Sequence, residues 1–237
     1  VYYVDDSNGN NNNDGLTVAT ALKTIAEGLN KSSNRDTLEL AAGTYAGTNN
    51  RNLDMQGLTR IIRSASGPTT TIIDCENQGS AFVFTNGEND SVHISGLTII
   101  NGYGGDGGAI YISGADPTFE NIIFKDNESF ASGGAAYIID SQSRFTNCVF
   151  DGNSGAGAAF YIQSGAVSVD HCTFINNTSP EDSHKGIGIG NSAVFEMTNS
   201  IYWGNNDIDD SAMVGFGWYW CRPARAHRRA AQGRRAR

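Results

Sequence analysis

Phe119-Glu120-Asn121-Ile122-Ile123-Phe124-Lys125-Asp126-Asn127 returns as Phe145-Thr146-Asn147-Cys148-Val149-Phe150-Asp151-Gly152-Asn153, and again as Val169-Asp170-His171-Cys172-Thr173-Phe174-Ile175-Asn176-Asn177. A degenerate earlier copy reads Ile94-Ser95-Gly96-Leu97-Thr98-Ile99-Ile100-Asn101-Gly102. The four copies begin 25, 26 and 24 residues apart. A second unit keeps step with the first: Gly107-Gly108-Ala109-Ile110-Tyr111-Ile112, Gly133-Gly134-Ala135-Ala136-Tyr137-Ile138 and Gly157-Ala158-Ala159-Phe160-Tyr161-Ile162. A fixed period in this range marks a repeat architecture, in which each unit buries its apolar side only by stacking on its neighbours.

The pattern extends outward on both sides. Thr37-Leu38-Glu39-Leu40, Thr59-Arg60-Ile61-Ile62-Arg63, Thr71-Ile72-Ile73-Asp74 and Ala81-Phe82-Val83-Phe84 read as short strands before the repeats. Gly186-Ile187-Gly188-Ile189 and residues 194–205 continue them with drift. This makes roughly six or seven rungs, each long enough for three short strands and three turns. The strands are rich in Phe, Ile and Val with no helical period between them, and the leucine-and-helix signature of a leucine-rich repeat is missing. The expected fold is all-β, a right-handed parallel β-helix whose rungs lie about 4.8 Å apart. Residues 20–30 read as a short amphipathic helix, with Leu22, Ile25, Ala26 and Leu29 on one face and Thr20 as N-cap. Laid over the first rung, that helix would cover an open strand edge. The chain divides into one domain over 1–213, with a cap at 1–35 and rungs at 36–208. Residues 214–237 change abruptly to Ala-, Arg- and His-rich sequence, which reads as read-through into foreign sequence. A basic tail for an anionic partner is the other reading.

Charge narrows the function classes. The chain has 237 residues with 25 acidic and 16 basic groups. Seven of the basic groups are arginines beyond Cys221, so residues 1–221 carry a formal charge of −16. Such a body repels nucleic acid and anionic membranes, and repels polyuronates unless a cation such as Ca²⁺ intervenes. No apolar run approaches the length of a membrane span. The 29 glycines against 4 prolines suit many tight turns. The opening residues are not a signal peptide, and a removed one is assumed to precede them. The four cysteines, Cys75, Cys148, Cys172 and Cys221, show no metal-binding spacing. Cys148 and Cys172 occupy one place in consecutive repeats, and read either as a stacked buried pair or as a disulfide. The polar loop over residues 5–15 reads as a solvated turn, with Ca²⁺ the alternative occupant of its carboxylates and amides.

The Gly107-Gly108-Ala109-Ile110 element and the Phe-x-x-Asn elements at Phe124, Phe150 and Phe174 resemble bacterial polymorphic outer-membrane protein repeats. The opening Tyr2-Tyr3-Val4-Asp5, with Asn13-Asp14-Gly15, Ala19-Thr20-Ala21-Leu22-Lys23-Thr24-Ile25 and residues 36–45, is similar to the start of secreted proteins of the pectate-lyase-like β-helix superfamily. The resemblance covers about residues 1–208 and implies a β-helix exported to the surface or medium. It leaves activity open, since that superfamily holds lyases, hydrolases, esterases and adhesins.

Stacking turns sequence columns into surfaces. Alternation points Ile110 and Ile112 inward and Tyr111 outward, and places Tyr137 and Tyr161 likewise. Three such tyrosines would make an aromatic strip suited to sugar rings, or a column that only stabilises the sheet. Asn121, Asn147, His171 and Asn199 form a second column and Asn127, Asn153, Asn177 and Asn205 a third, both read as structural. Glu120 and Asp170 stand two rungs apart, roughly 10 Å, near the upper range for the carboxylates of an inverting glycosidase. With Asp140, Asp151, His171 and His184 they are the acid/base candidates. The motifs of a polygalacturonase-like site are missing, as is G-x-S-x-G. The first reading is therefore a secreted or cell-surface module that binds a polysaccharide or another surface ligand through Tyr111, Tyr137 and Tyr161. The alternative is a carbohydrate-active enzyme, a lyase, hydrolase or esterase; a purely structural stalk is the third.

Overall fold

The computed structural model describes residues 1–179 and 186–205. Each repeat makes one turn of a solenoid, and every strand pairing is parallel and joins one turn to the next. In the turn that opens the quoted repeat, Thr118–Glu120 lies on a first face, Ile123–Lys125 on a second, Glu128–Ser132 at a corner and Ala136–Ile139 on a third. The second face is a seven-stranded sheet and the corner a three-stranded one. The first and third faces join into a single 12-stranded sheet, because Phe160–Asp170 and Ile187–Thr198 run unbroken through the angle between them. Seven strands on the second face agree with the expected six or seven rungs.

On the three faces the register follows the repeat, with shifts in the corner sheet between Gly104 and Asp106 and between Glu128 and Ser132, and in the long strands between Ile162 and Ser164. Phe119 pairs with Phe145, Phe124 with Phe150 and Tyr111 with Tyr137. Alternation sends Ile62, Ile94, Phe119, Phe145 and Val169 inward from the first face, all 1% exposed or less. Ile73, Ile99, Phe124, Phe150 and Phe174 fill the second face, and Phe82, Ile110, Ala136 and Phe160 the third. The repeated unit of the third face opens on glycine for a backbone reason. Gly133 has φ +72°, and a Cβ there would stand 2.3 Å from the carbonyl oxygen of Ala136.

The two polar columns do different work. Asn127, Asn153, Asn177 and Asn205 are buried and form a continuous amide ladder. From Asn153 on, each Oδ1 accepts from the backbone N–H and the side-chain Nδ2 of the Asn one rung earlier, at 3.1 and 3.0 Å for Asn127 to Asn153 and 3.1 and 2.9 Å for Asn153 to Asn177, while Asn127 Oδ1 accepts from the Gly102 N–H at 2.8 Å. Each Nδ2 also donates to a strand carbonyl, as Asn153 does to Phe124 at 3.0 Å. The other column is exposed and makes no such ladder. Asn121, Asn147, His171 and Asn199 have φ between 49° and 54°, a left-handed turn that Asn and His adopt more readily than most residues. His171 in an Asn column is thereby explained by its backbone.

The capping helix is shorter and later than the sequence pattern suggested. It spans Ile25–Lys31 with Thr24 as N-cap, the Thr24 hydroxyl accepting from the Glu27 N–H at 3.4 Å. Thr20 instead ends a 3₁₀ turn capped by Thr17. Leu22 is withdrawn from the helical face because it bridges to Val4, and the Lys23 and Thr24 N–H groups bond to Asn11 Oδ1. Ile25 and Leu29 pack into the core beside Val4 and Leu38. The sheet also begins earlier than expected, since Tyr2–Val4 already pairs with Thr37–Leu40 as the end strand of the first face. Buried Tyr45 ties that strand down, its hydroxyl donating to Val4 O at 2.9 Å. A buried arginine that the sequence reading passed over, Arg60, donates to the carbonyls of Met55 and Ser32 at 3.1 and 2.9 Å. Residues 214–237, read as a foreign or basic tail, lie outside the described residues.

Candidate functional site

Two outward surfaces carry the chemistry. On the third face, Tyr111, Tyr137 and Tyr161 stand in register with Val83 before them and Gly188 after them. Their rings stack, with centroids 5.5 Å apart at 4° and 5.7 Å apart at 2°. Tyr137, in the middle, is 9% exposed. Neighbouring rings therefore cover the two flat sides of Tyr137, and the strip offers ring edges and hydroxyls outward. The Tyr137 hydroxyl donates to Gln163 Oε1. Burial, then the negative charge of Asp106 and the two flanking phenols, pushes the Tyr137 phenol above its ordinary value.

At one end of this strip lies an open depression of about 420 Å³. Its walls are Asp106 and Ser132 from the corner sheet, Tyr137, Tyr161 and Gln163 from the third face, and residues 189–192 from the next rung. Tyr111 does not line it. Hydroxyls, amides and one carboxylate thus converge beside aromatic edges, a donor set suited to a polyhydroxylated ligand. Gln163, Asp106 and residues 189–192 were invisible as site residues in the sequence, because the repeat pattern says nothing of how the corner meets the third face.

The first face carries the ionisable groups. Glu120 and Asp170 share an outward column, with Thr146 between them and Ser95 and Thr198 beyond. The Asp170 carboxylate accepts from Thr198 Oγ1 at 2.6 Å and Asn199 Nδ2 at 2.8 Å, and pairs with His171 Nδ1 at 2.8 Å. Those bonds, that from Thr198 foremost, hold its pKa down at about 2, so it is ionised at neutral pH. Glu120 Oε2 stands 3.4 Å from Nε2 of His93, whose Nδ1 lies 3.0 Å from Thr118 Oγ1. His93 escaped the sequence reading, although aligning His93-Ile94-Ser95 with Thr118-Phe119-Glu120 would have placed it. Arg144 flanks Thr118 on the same surface.

The remaining acid/base candidates do not join this group. Asp151 projects from the second face and accepts from Asn176 Nδ2 at 2.9 Å. Asp140 sits in a left-handed turn after the third face, where its Oδ1 accepts from Ser164 Oγ at 2.6 Å. His184 lies outside the described residues. The polar loop of residues 5–15 uses its oxygens on itself and on the residues that follow it: Asp5 Oδ1 accepts from the Ser7 and Asn8 N–H groups at 2.9 Å, and Asp14 Oδ1 from Leu16 N and Thr20 Oγ1 at 3.0 and 2.6 Å. Among the described residues, no three His, Cys, Asp or Glu side chains gather as a metal site. Cys148 and Cys172 are free thiols stacked one rung apart, with the Cys148 N–H donating to Cys172 Sγ at 3.4 Å. Burial pushes the Cys148 thiol well up.

Comparison with known proteins places this geometry. The family described as the right handed beta helix region matches residues 60–218. No curated protein sequence gives a significant match. Among solved structures, the pectin methylesterase PemA from Erwinia chrysanthemi superposes with a TM-score of 0.57 at 14% identity, over 89% of this chain and 67% of that one. The pectate lyase Pel9A gives 0.54 at 18% identity, over 86% of this chain and 63% of that one. A rhamnogalacturonan lyase gives 0.51 at 13% identity, over 86% of this chain and 68% of that one. The chain thus spans about two thirds of the length of these structures, and at such identities the likeness is one of fold.

Proposed function

Because this chain belongs to the right-handed β-helix family, we propose that it is a secreted or cell-surface module that binds a polysaccharide across its third face. One observation carries the reading: the open depression at the end of the tyrosine strip, with hydroxyl and amide groups converging beside aromatic edges. Sugars are recognised by many hydrogen bonds together with apolar contact; the depression supplies the hydrogen-bonding groups, and the edges of Tyr137 and Tyr161 supply the aromatic border. Tyr137 and Tyr161 serve as the rim and Gln163 as a hydrogen-bonding arm, while Tyr111 buttresses the stack.

A second reading, catalysis on a polysaccharide, is favoured by the first face. There an ionised Asp170 and a His93–Glu120 pair stand two rungs apart with Arg144 beside them. The test is retention of the full chain on neutral and acidic polysaccharides, run beside turnover of the same panel and of simple aryl esters, with Ca²⁺ and with chelator. Retention without turnover, lost when Tyr111, Tyr137 and Tyr161 are all changed to Ala, is the expected result. Turnover abolished by Glu120→Gln or Asp170→Asn would replace it with the enzymatic reading, and an absence of both retention and turnover would leave a structural stalk.

A further inference from the structure

The corner sheet bears a second aromatic pair of a different kind. Tyr103 and Phe130 sit on adjacent strands, with centroids 5.8 Å apart and planes inclined by 44°. They are 38% and 71% exposed. Unlike the tyrosine strip, this pair is not laid flat ring on ring, and Phe130 stands largely open to solvent. Gly105 leaves the room for it: a Cβ there would come within 3.3 Å of the Phe130 ring. Both strands continue into the depression described above. Ser132, two residues after Phe130, and Asp106, three after Tyr103, line its wall, about 7 and 10 Å along the strands.

Charge decides what can lie there. Among the described residues that line the depression there is no Lys, Arg or His, and Asp106 is the charged group. The three corner strands likewise carry Asp106 and Glu128 and no cation. A uronate on this surface would meet like charge and find no cationic partner for its carboxylate among the described residues, whereas an uncharged sugar presents only hydroxyls. Resting on the carbohydrate-binding reading, we infer that the ligand is an uncharged glycan that stacks on Phe130 and Tyr103 and runs into the Asp106–Gln163 depression, and that polyuronates are rejected. The specificity is thus opposite in charge to that of the pectin-directed proteins whose fold it shares.

The experiment is affinity electrophoresis of the full chain in gels holding neutral glycans (β-glucan, xylan, mannan, galactan) or polygalacturonate, in chelator, with circular dichroism as the folding control. A neutral glycan is expected to retard the chain at least about tenfold more strongly than polygalacturonate does, since one uncompensated like-charge contact of about 1.4 kcal/mol gives that factor. Phe130→Ala, at an exposed position, is expected to lower retention about tenfold with an unchanged spectrum. Asp106→Asn is expected to narrow the gap between neutral and acidic glycans. Retention on polygalacturonate that exceeds the neutral panel and is lost in Gln163→Ala would overturn this inference and leave the binding reading standing. Neutral retention lost in Gln163→Ala but untouched in Phe130→Ala would overturn the stacking path. No retention on any gel would overturn both.

Discussion

Two aromatic ladders climb this solenoid, one inside and one outside. Phe124, Phe150 and Phe174 stack in the core with centroids 4.8 and 4.6 Å apart, each pair at 6°. Tyr111, Tyr137 and Tyr161 stack on the surface at 5.5 and 5.7 Å, at 4° and 2°. Both are parallel because one backbone register builds both. The inner rings sit at the strand spacing itself, while the outer ones are slid apart. Phe150 is enclosed by the rings of Phe124, Phe145, Phe160 and Phe174, whereas Tyr137 stacks on two rings and reaches Gln163. Periodicity sets where a side chain points; what surrounds it decides whether it serves the fold or is free for a ligand.

That contrast breaks most readily at its inner member. Phe150→Ala should cost about 3–5 kcal/mol, because a fully buried ring leaves a cavity that a rigid stack cannot close; urea unfolding measures it. The amide ladder comes next. Asn153→Ala strands the backbone N–H of Asn127 and removes one of the two bonds of its side-chain amide, which keeps Ile99 O, and a loss of about 2–3 kcal/mol is expected for buried groups left unpaired. The exposed column offers the control: Asn147→Ala should cost about 1–2 kcal/mol, for the left-handed backbone alone. Tyr111→Ala should cost about 1 kcal/mol, the scale of one aromatic pair. A loss as large as that of Phe150→Ala would make the outer ladder as structural as the inner one.

The smallest effect concerns the first face. Asp170 titrates at about 2 when folded, below its ordinary 3.8. Its contribution to stability is therefore complete above about pH 4 and fades as pH falls toward 2. Thr198→Ala removes the foremost of the bonds that hold it ionised, so its carboxyl titration, followed by NMR, should move up toward the ordinary value. An unmoved titration would show that Asn199 and His171 suffice.

The parts legible in the sequence were those that repeat. Phe119, Phe145 and Val169 stand in register as their spacing demanded, and the Asn127–Asn205 column is the structural ladder that its residue type suggested. The capping helix was legible in kind but not in position, because a helical spacing counted Leu22 whereas a bridge to Val4 claimed it. The residues of the candidate site were legible only in part. Tyr137 and Tyr161 came from a column, but Gln163, Asp106 and Phe130 have no periodic signal. Glu120, Asp140, Asp151 and Asp170 shared a composition and not a surface; only Glu120 and Asp170 lie on one face.

By itself the sequence determined the solenoid, its period and the inward or outward sense of nearly every strand residue. A strand alternates strictly, a repeat can hide its apolar side only against the next copy, and the leucine-and-helix signature of the competing solenoid is missing. Only the tertiary structure decided which outward residues meet across the corner between strands of different stacks. That meeting runs through the left-handed Gly107, Gly133 and Gly157 between the corner strands and the third face; these glycines recur with the period, but which side chains of two different stacks come together depends on angles and on register shifts that leave no period to read.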